Sequence, residues 1–393
     1  MPTTPGNECT VSSKTLYLAF DLGQRQWTLA FTIGLGRPPR LVDIPGGDTE
    51  ALRREIGSAK RRFGLPDNTA VVSCYEAGRN GFWLHRWLQA HQVHNVVVDS
   101  SSIEVNRRQR RSKTDKMDAR KLSKLLIRFH MGEEKVFSVV NVPSVDDEDQ
   151  RHLHREIGTL TADETALVNR IRGVLAAYGV DLEPDSGFPE SLKGARQWNL
   201  LPLPPGVQQR LLCDFAVLQV VQGQIRTLER QQRAEIREGT GEATQQIRKL
   251  LGLKGVGLRI SSTYAKEFFT WRKLKNRRQV AGLAGLCSTP YSSGTMKHEH
   301  GISKAGNRWV RGLAVEFAWT WLHWQPQSAL SLWYQQRFAH GGTRQRRVGI
   351  VALARKLLVA LWKYLETGIP PQGAELVDWE AKLQRRNCTL TAS

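Results

Sequence analysis

LYLAFDLGQRQWTLAFTI, residues 16–33, decides the fold of the first part of the chain. Two apolar runs, 16–20 and 27–33, flank a turn containing Gly and Gln, and both are rich in residues that suit strands. The pattern predicts a hairpin. The first run ends on Asp21-Leu22-Gly23. Further along, 49–63 reads as a basic amphipathic helix. The run 69–75 (TAVVSCY) reads as a buried strand ending at Glu76, 82–91 as a helix, and 93–98 (VHNVVV) as another strand. Consecutive strands followed by strand–helix alternation predict a mixed sheet with helices packed on it.

Beyond this sheet the composition changes. Ten of the 23 residues 106–128 are Lys or Arg, with only Asp115 and Asp118 acidic. A helix is expected over 115–130, with Met117, Leu122, Leu125 and Leu126 at helical spacing. Segment 141–241 reads as two long helices, about 151–178 and 207–238, around a Pro/Gly-rich loop at 182–206. Leu211, Leu218, Val221, Ile225 and Leu228 make a narrow apolar stripe on the second helix, which suits a coiled-coil arm pairing with a second copy. Residues 243–366 read as a mainly helical domain opening on LLGLKGVG, with an irregular loop at 285–301 and six tryptophans after it. Residues 1–13 and 367–393 read as mobile tails. The expected class is α/β for 14–135 and α for the rest.

The chain has 393 residues, 40% of them apolar, enough for real cores. Fifty-seven Lys and Arg against 37 Asp and Glu give a net charge of +20, which points to a polyanionic partner, nucleic acid before membrane. No apolar run is long enough to span a bilayer, and the N-terminus lacks the apolar core of a signal peptide. Five scattered cysteines without a C-x-x-C pair fit a reducing cytosol and exclude a zinc ribbon.

Four acids stand out. Asp21 and Glu76 end strands, and Asp115 and Asp118 share one side of the expected helix. Four converging carboxylates repel unless hard cations neutralise them; Mg2+ takes oxygen ligands and keeps water for phosphate oxygens. Two such ions about 4 Å apart stabilise both the attacking and the leaving oxygen in phosphoryl transfer. The bland alternative is that each is a solvated cap or turn. The basic stretch carries Arg107, Arg108, Arg110, Arg111, Lys113 and Lys116, cations that grip phosphate. LGLKGVGLRI, 251–260, resembles a helix-hairpin-helix whose glycines admit a phosphate, with Lys254 beside it. In the loop TPYSSGTMKHEHGISKAGNRWVR, Ser292 and Ser293 precede Gly294, with Lys297, Lys304, Arg308 and Arg311 following. A serine on a glycine-containing turn can be presented as a nucleophile, and cationic surroundings suit attack on phosphate. His298 and His300 have no third ligand by spacing and read as loop histidines.

Taken together, the motifs resemble the IS110/IS1111 family of bacterial transposases, or DEDD recombinases. The resemblance rests on Asp21, Glu76 and KTDKMDARKL (113–122), then LLGLKGVG, RRQVAGLAGL (277–286), TPYSSG (289–294), GISKAGNRWVR (301–311) and RKLLVALWKYL (355–365). It covers about residues 14–366. It implies a RuvC-like, RNase H-type domain whose acids Asp21, Glu76, Asp115 and Asp118 hold Mg2+, and Ser293 as recombinase nucleophile. It further implies a cytoplasmic, nucleoid-associated bacterial enzyme acting on double-stranded DNA as a homodimer or homotetramer. A structured noncoding guide RNA would pair with element ends and target, and no membrane is involved. Two rivals differ in what they need. A RuvC-like nuclease needs the acids but no serine, and a pure nucleic-acid binder needs neither.

Overall fold

The computed structural model describes residues 14–78, 81–103, 115–133, 135–293 and 296–384, excluding the side chains of 115, 116 and 290–300. The chain divides into two compact units at Val142/Pro143.

The first unit is built on a five-stranded sheet in the order β3-β2-β1-β4-β5. β1 (Leu16–Leu22), β2 (Gln26–Thr32) and β3 (Arg40–Pro45) form an antiparallel meander, with Phe20 opposite Leu29. β4 (Val71–Glu76) and β5 (Val93–Val98) are parallel to β1. Parallel neighbours need crossovers, here supplied by α1 (Thr49–Arg62) and α2 (Trp83–Ala90). Asp48 caps α1, its carboxylate accepting from Ala51 N at 2.8 Å, and Lys60, Arg61 and Arg62 fill the last turn, where the dipole favours cations. Both faces of the sheet are covered. Leu16, Leu18, Phe20, Leu29 and Phe31 pack with Leu52, Ala59, Leu84 and Leu88 of α1 and α2. On the other face Tyr17, Ala19, Val72 and Cys74 pack with Ala119, Leu122 and Leu126 of α3 (Asp115–His130). Each fully buried leucine or phenylalanine contributes roughly 1.5–3 kcal/mol.

The second unit opens with the short α4 (Val145–Asp149), capped by a Ser144/Asp147 capping box. An antiparallel pair follows, α5 (His152–Ala176) and α7 (Pro205–Glu238), bridged by α6 (Phe188–Gly194). Leu167, Ile171 and Leu175 of α5 pack on Leu211, Phe215 and Leu218 of α7, and Phe188 closes the cluster 5.1 Å from the Phe215 ring. Leu211 and Leu218, expected to seat a second copy, are thus buried within the chain, because α5 offers a complementary row. Leu212, Val217 and Val220 of α7 are exposed.

The rest of this unit comprises α8 (Glu242–Leu251), α9 (Leu258–Tyr264), a π-turn (Ala265–Phe269), α10 (Arg277–Leu283), strands β6 (Ser288–Ser293) and β7 (Met296–Ile302), α11 (Arg308–Trp324), α12 (Ala329–Tyr334), a second π-turn (Gln335–Ala339), α13 (Thr343–Thr367) and α14 (Trp379–Gln384). Tyr264, Phe268, Phe317 and Trp321 form its core with Leu353, Leu357 and Leu361 of α13. Trp321 Nε1 donates to Ser328 Oγ at 2.8 Å, so the largest buried ring keeps its polar atom satisfied. Up to residue 384 the C-terminal segment is not a loose tail. Lys382 Nζ donates to the carbonyls of Leu251, Leu253 and Val256 at 2.7, 2.6 and 3.1 Å, and Lys254 N donates to Glu375 O. Leu383 is buried with Ile247 and Leu251, and Trp379 packs beside it, but a single pair of apolar residues i,i+4 is too short a pattern to announce a docked helix.

Candidate active site

Phe20 lies opposite Tyr75 on the parallel strands β1 and β4, so Asp21 and Glu76 are the next residues on adjacent strands. Side chains alternate along a strand. Tyr17 and Ala19, and Val72 and Cys74, face α3, and Asp21 and Glu76 continue those two rows. The helix runs back along β1. His130 Nδ1 lies 2.9 Å from the Tyr17 hydroxyl, and the Leu122 carbonyl lies 4.0 Å from Cys74 Sγ. The first turn of α3 therefore lies toward the strand ends that carry Asp21 and Glu76. Asp118 is in that part of the helix, beside Ala119 on the sheet-facing side, and is half-buried. Asp21 is half-buried and Glu76 exposed, so the strand ends are open to a substrate.

A donor set made only of carboxylates fits Mg2+. Asp115 belongs to α3, but its side chain lies outside the described residues, so three of the four acids can be placed. Among the described residues no three His, Cys, Asp or Glu side chains are gathered as a metal site. Cys74, between the rows, is no nucleophile: burial, helped by the charge of Glu76, pushes its thiol well above the ordinary range.

The second feature corrects an expectation. Where the sequence predicts an irregular loop over 285–301, β6 and β7 make a two-stranded antiparallel ribbon. Its strands are polar, without the apolar alternation that announces a core strand, and Pro290 fits a ribbon with no further neighbours. Ser293 is the last residue of β6 and pairs with Met296. Ser292 pairs with Lys297, so the two serine positions fall on opposite faces of the ribbon. Gly294 lies outside the described residues.

The base of the ribbon is tightly held. Ser303 N donates to Cys287 O at 2.8 Å, Lys304 N to Gly285 O at 3.2 Å and Asn307 N to Leu283 O at 3.0 Å. Arg311 Nη1 donates to Lys304 O at 2.9 Å, so this cation braces the loop. Lys304 and Arg308 are exposed, and Arg308 sits 5.8 Å from the Trp309 ring centroid. Lys254, in the turn between α8 and α9, pairs with Glu375 at 2.5 Å. A surface pair of this kind contributes roughly 0–1 kcal/mol, little enough for a phosphate to displace it. Arg107, Arg108, Arg110, Arg111 and Lys113 lie outside the described residues; for Lys116 and Lys297 only the backbone is described.

One cluster escaped sequence reading. Glu267, 1% exposed, accepts from His154 Nε2 at 3.0 Å, from Arg155 Nε at 2.5 Å and Nη2 at 2.8 Å, and from Asn307 Nδ2 at 3.4 Å. Burial alone would raise its carboxyl, but the hydrogen bonds from His154 and Arg155 and the charge of Arg155 outweigh that and hold it at about 2. Burial lowers His154, against its bond to Glu267. The neutral ring is the consistent form, because His154 Nδ1 is buried without a partner and has no acceptor for a second proton. The available signal was a Lys-Glu pair inside the apolar run ISSTYAKEFFTW, 260–271.

A two-unit α/β and α protein with strand-end acids and a serine ribbon has the parts for chemistry on phosphodiesters. Residues 247–333 match the family described as Transposase IS116/IS110/IS902 family. The chain is 36% identical over 380 residues to the "Putative transposase y4rJ" of Sinorhizobium fredii, covering 91% of this chain and 94% of that protein. It is 25% identical over 257 residues to the "Transposase for insertion sequence element IS1111A" of Coxiella burnetii, covering 65% and 67%. The chain belongs to the IS116/IS110/IS902 family of insertion-sequence transposases. Cleavage and rejoining of DNA follow from that membership. Among the described residues no helix is long and apolar enough to cross a membrane.

Proposed function

We propose that this transposase recombines DNA through a covalent phosphoserine formed on Ser293, assisted by Mg2+ held by Asp21, Glu76, Asp115 and Asp118 on a RuvC-like DEDD domain. The observation that carries the reading is the presence, in one chain, of acids ending adjacent parallel strands on the α3 side and of a serine ending a strand of a ribbon whose foot carries the exposed cations Lys304 and Arg308.

Ser293 Oγ bonds to a backbone phosphorus while the P–O bond to one strand breaks, and the serine proton ends on the released hydroxyl. Energy is conserved in the phosphoserine, so a hydroxyl from a new partner strand reverses the step and frees the serine. Lys304 and Arg308, at the foot of the ribbon, would grip DNA backbone phosphates. When bound at the carboxylates, Mg2+ supplies charge stabilisation for the transferring phosphate.

The +20 chain grips backbone, and base pairing by a structured noncoding guide RNA supplies sequence choice. A homodimer or homotetramer combines acids and serine from different copies. The protein works at the bacterial nucleoid. The test is mass spectrometry of protein trapped on nicked DNA. A nucleotide adduct on Ser293 is expected; hydrolysed free ends with no adduct hand the function to a metal nuclease.

A further inference from the structure

Within the second unit the buried carboxylate of Glu267 is a costly arrangement. It sits in the π-turn Ala265–Phe269, a widened helical turn of a kind often found at functional sites. A buried carboxylate must be fully hydrogen-bonded to be tolerated, and an apolar side chain of similar volume would serve packing alone at least as well. Glu267 lies among Tyr264, Phe268 and Phe269, all buried and apolar enough to accept such a replacement. What an apolar residue could not do is join three separate elements.

Those elements are the two arm helices and the foot of the serine ribbon. Glu267 takes His154 and Arg155 from α5, and the preceding Lys266, 8% exposed, reaches Glu235 of α7 at 3.4 Å. From the other side comes Asn307, in the connection between β7 and α11. Asn307 Oδ1 caps α11 by accepting from Trp309 N at 2.9 Å and Val310 N at 3.2 Å. Its amide Nδ2 is left for Glu267, and its backbone N holds Leu283. Two residues on, the Trp309 ring lies against Gly158 of α5, 3.8 Å from where a Cβ would stand. Arm and ribbon foot therefore meet at two points, one polar and one aromatic.

We propose that Glu267 is a positioning residue for the serine ribbon: through Asn307 it fixes the ribbon's foot to arm helix α5, so that arm and ribbon move as one body. This rests on the reading of Ser293 as nucleophile and names the residue that holds its mount. Reacting groups tolerate little displacement, a shift of about 1 Å costing on the order of 100-fold in rate.

Asn307→Asp is the informative variant. Aspartate caps helices as well as asparagine, so α11 keeps its cap, but the new carboxylate faces that of Glu267 and the link is broken. Glu267→Gln added to Asn307→Asp restores it: the glutamine Nε2 donates to the aspartate and Oε1 keeps His154 Nε2 and Arg155 Nε, with only the Arg155 Nη2 bond given up. The readouts are hydrogen–deuterium exchange at the amides of Ser303, Lys304 and Asn307, DNA binding, and strand exchange. Asn307→Asp is expected to speed amide exchange by at least ~10-fold and to slow strand exchange ~10–100-fold with DNA binding unchanged. The double variant is expected to recover most of both. Unchanged amide exchange in Asn307→Asp, a loosened ribbon with normal strand exchange, or a double variant no better than the single one would each overturn the proposal. If Ser293→Ala proves active, the nucleophile reading falls by itself, while the amide-exchange comparison still decides whether Glu267 holds the ribbon.

Discussion

A Cβ on Gly306 would stand 2.0 Å from the carbonyl oxygen of Leu283. Gly306 has φ of 100°, and opposite it Gly285, at φ of 68°, approaches Ala305 O just as closely, 2.1 Å from a Cβ. The two glycines let the connections into and out of the ribbon cross in contact, where the Lys304 and Asn307 amides find their acceptors. Gly306→Ala is therefore expected to lose about 1–3 kcal/mol from backbone strain alone, with the clash adding to it. A thermal melt followed by circular dichroism checks this; a melting point equal to wild type would show that the foot of the ribbon can open without cost.

Acid should destabilise the second unit in two stages. His154 is held neutral in the folded state below its ordinary 6.5, so the unfolded chain takes up the proton first and stability falls as pH drops below about 6.5. Glu267 is depressed from 4.5 to about 2, so its contribution is complete above about 4.5 and is lost as pH falls toward 2. The size of that shift corresponds to an upper bound of about 3 kcal/mol. Urea unfolding at stepped pH, read by tryptophan fluorescence, should show Glu267→Gln with a flatter profile than wild type below pH 4.5. Parallel profiles there would mean that the carboxylate is not linked to folding.

Much of this architecture is legible in the residues, and what is not has identifiable causes. The periodicity of 93–98 and 115–130 gives β5 and α3 with their observed ends, because β5 buries apolar residues as a strand of the sheet and α3 packs an apolar row on it. β3 escapes because it is an edge strand with only Ile44 buried, so it shows no alternation. The ribbon escapes because its strands pair only with each other. The stripe on α7 is readable, but periodicity cannot say whether the helix facing it belongs to the same chain. Asp21 and Glu76 are visible as acids ending apolar runs. Glu267 is not, since what marks it is a meeting of residues more than a hundred positions apart.

Asp21→Asn and Asp118→Asn keep side-chain size while removing charge, and Asp21 lies in a strand that is already paired on both sides. Both variants should fold and bind DNA as wild type does. Strand cleavage should fall on the order of 100–1000-fold, the several kcal/mol that a phosphate-bound metal supplies. Chelation of Mg2+ should reproduce the loss in wild type, and adding the metal back should reverse it. Cleavage that continues in chelator at the wild-type rate would remove the metal from the scheme.

The two serines offer the sharpest comparison, because they are neighbours in sequence and different in register. Ser293 ends β6 opposite Met296, whereas Ser292 lies opposite Lys297 on the other face of the ribbon. A nucleophile must reach phosphorus from one direction, so the two positions cannot substitute for each other without a shift of register, which would move every residue of the strand to the opposite face. Ser293→Ala removes only a hydroxyl and should leave folding and DNA binding intact, yet reduce strand exchange by at least ~1000-fold, as loss of a covalent nucleophile does. Ser292→Ala should stay within about 10-fold of wild type, a change that disturbs positioning but not the reacting atom. Strand exchange on a labelled donor–target pair, with band shifts run in parallel, measures both. If the two alanines lose activity equally, the ribbon is a binding surface and the nucleophile lies elsewhere.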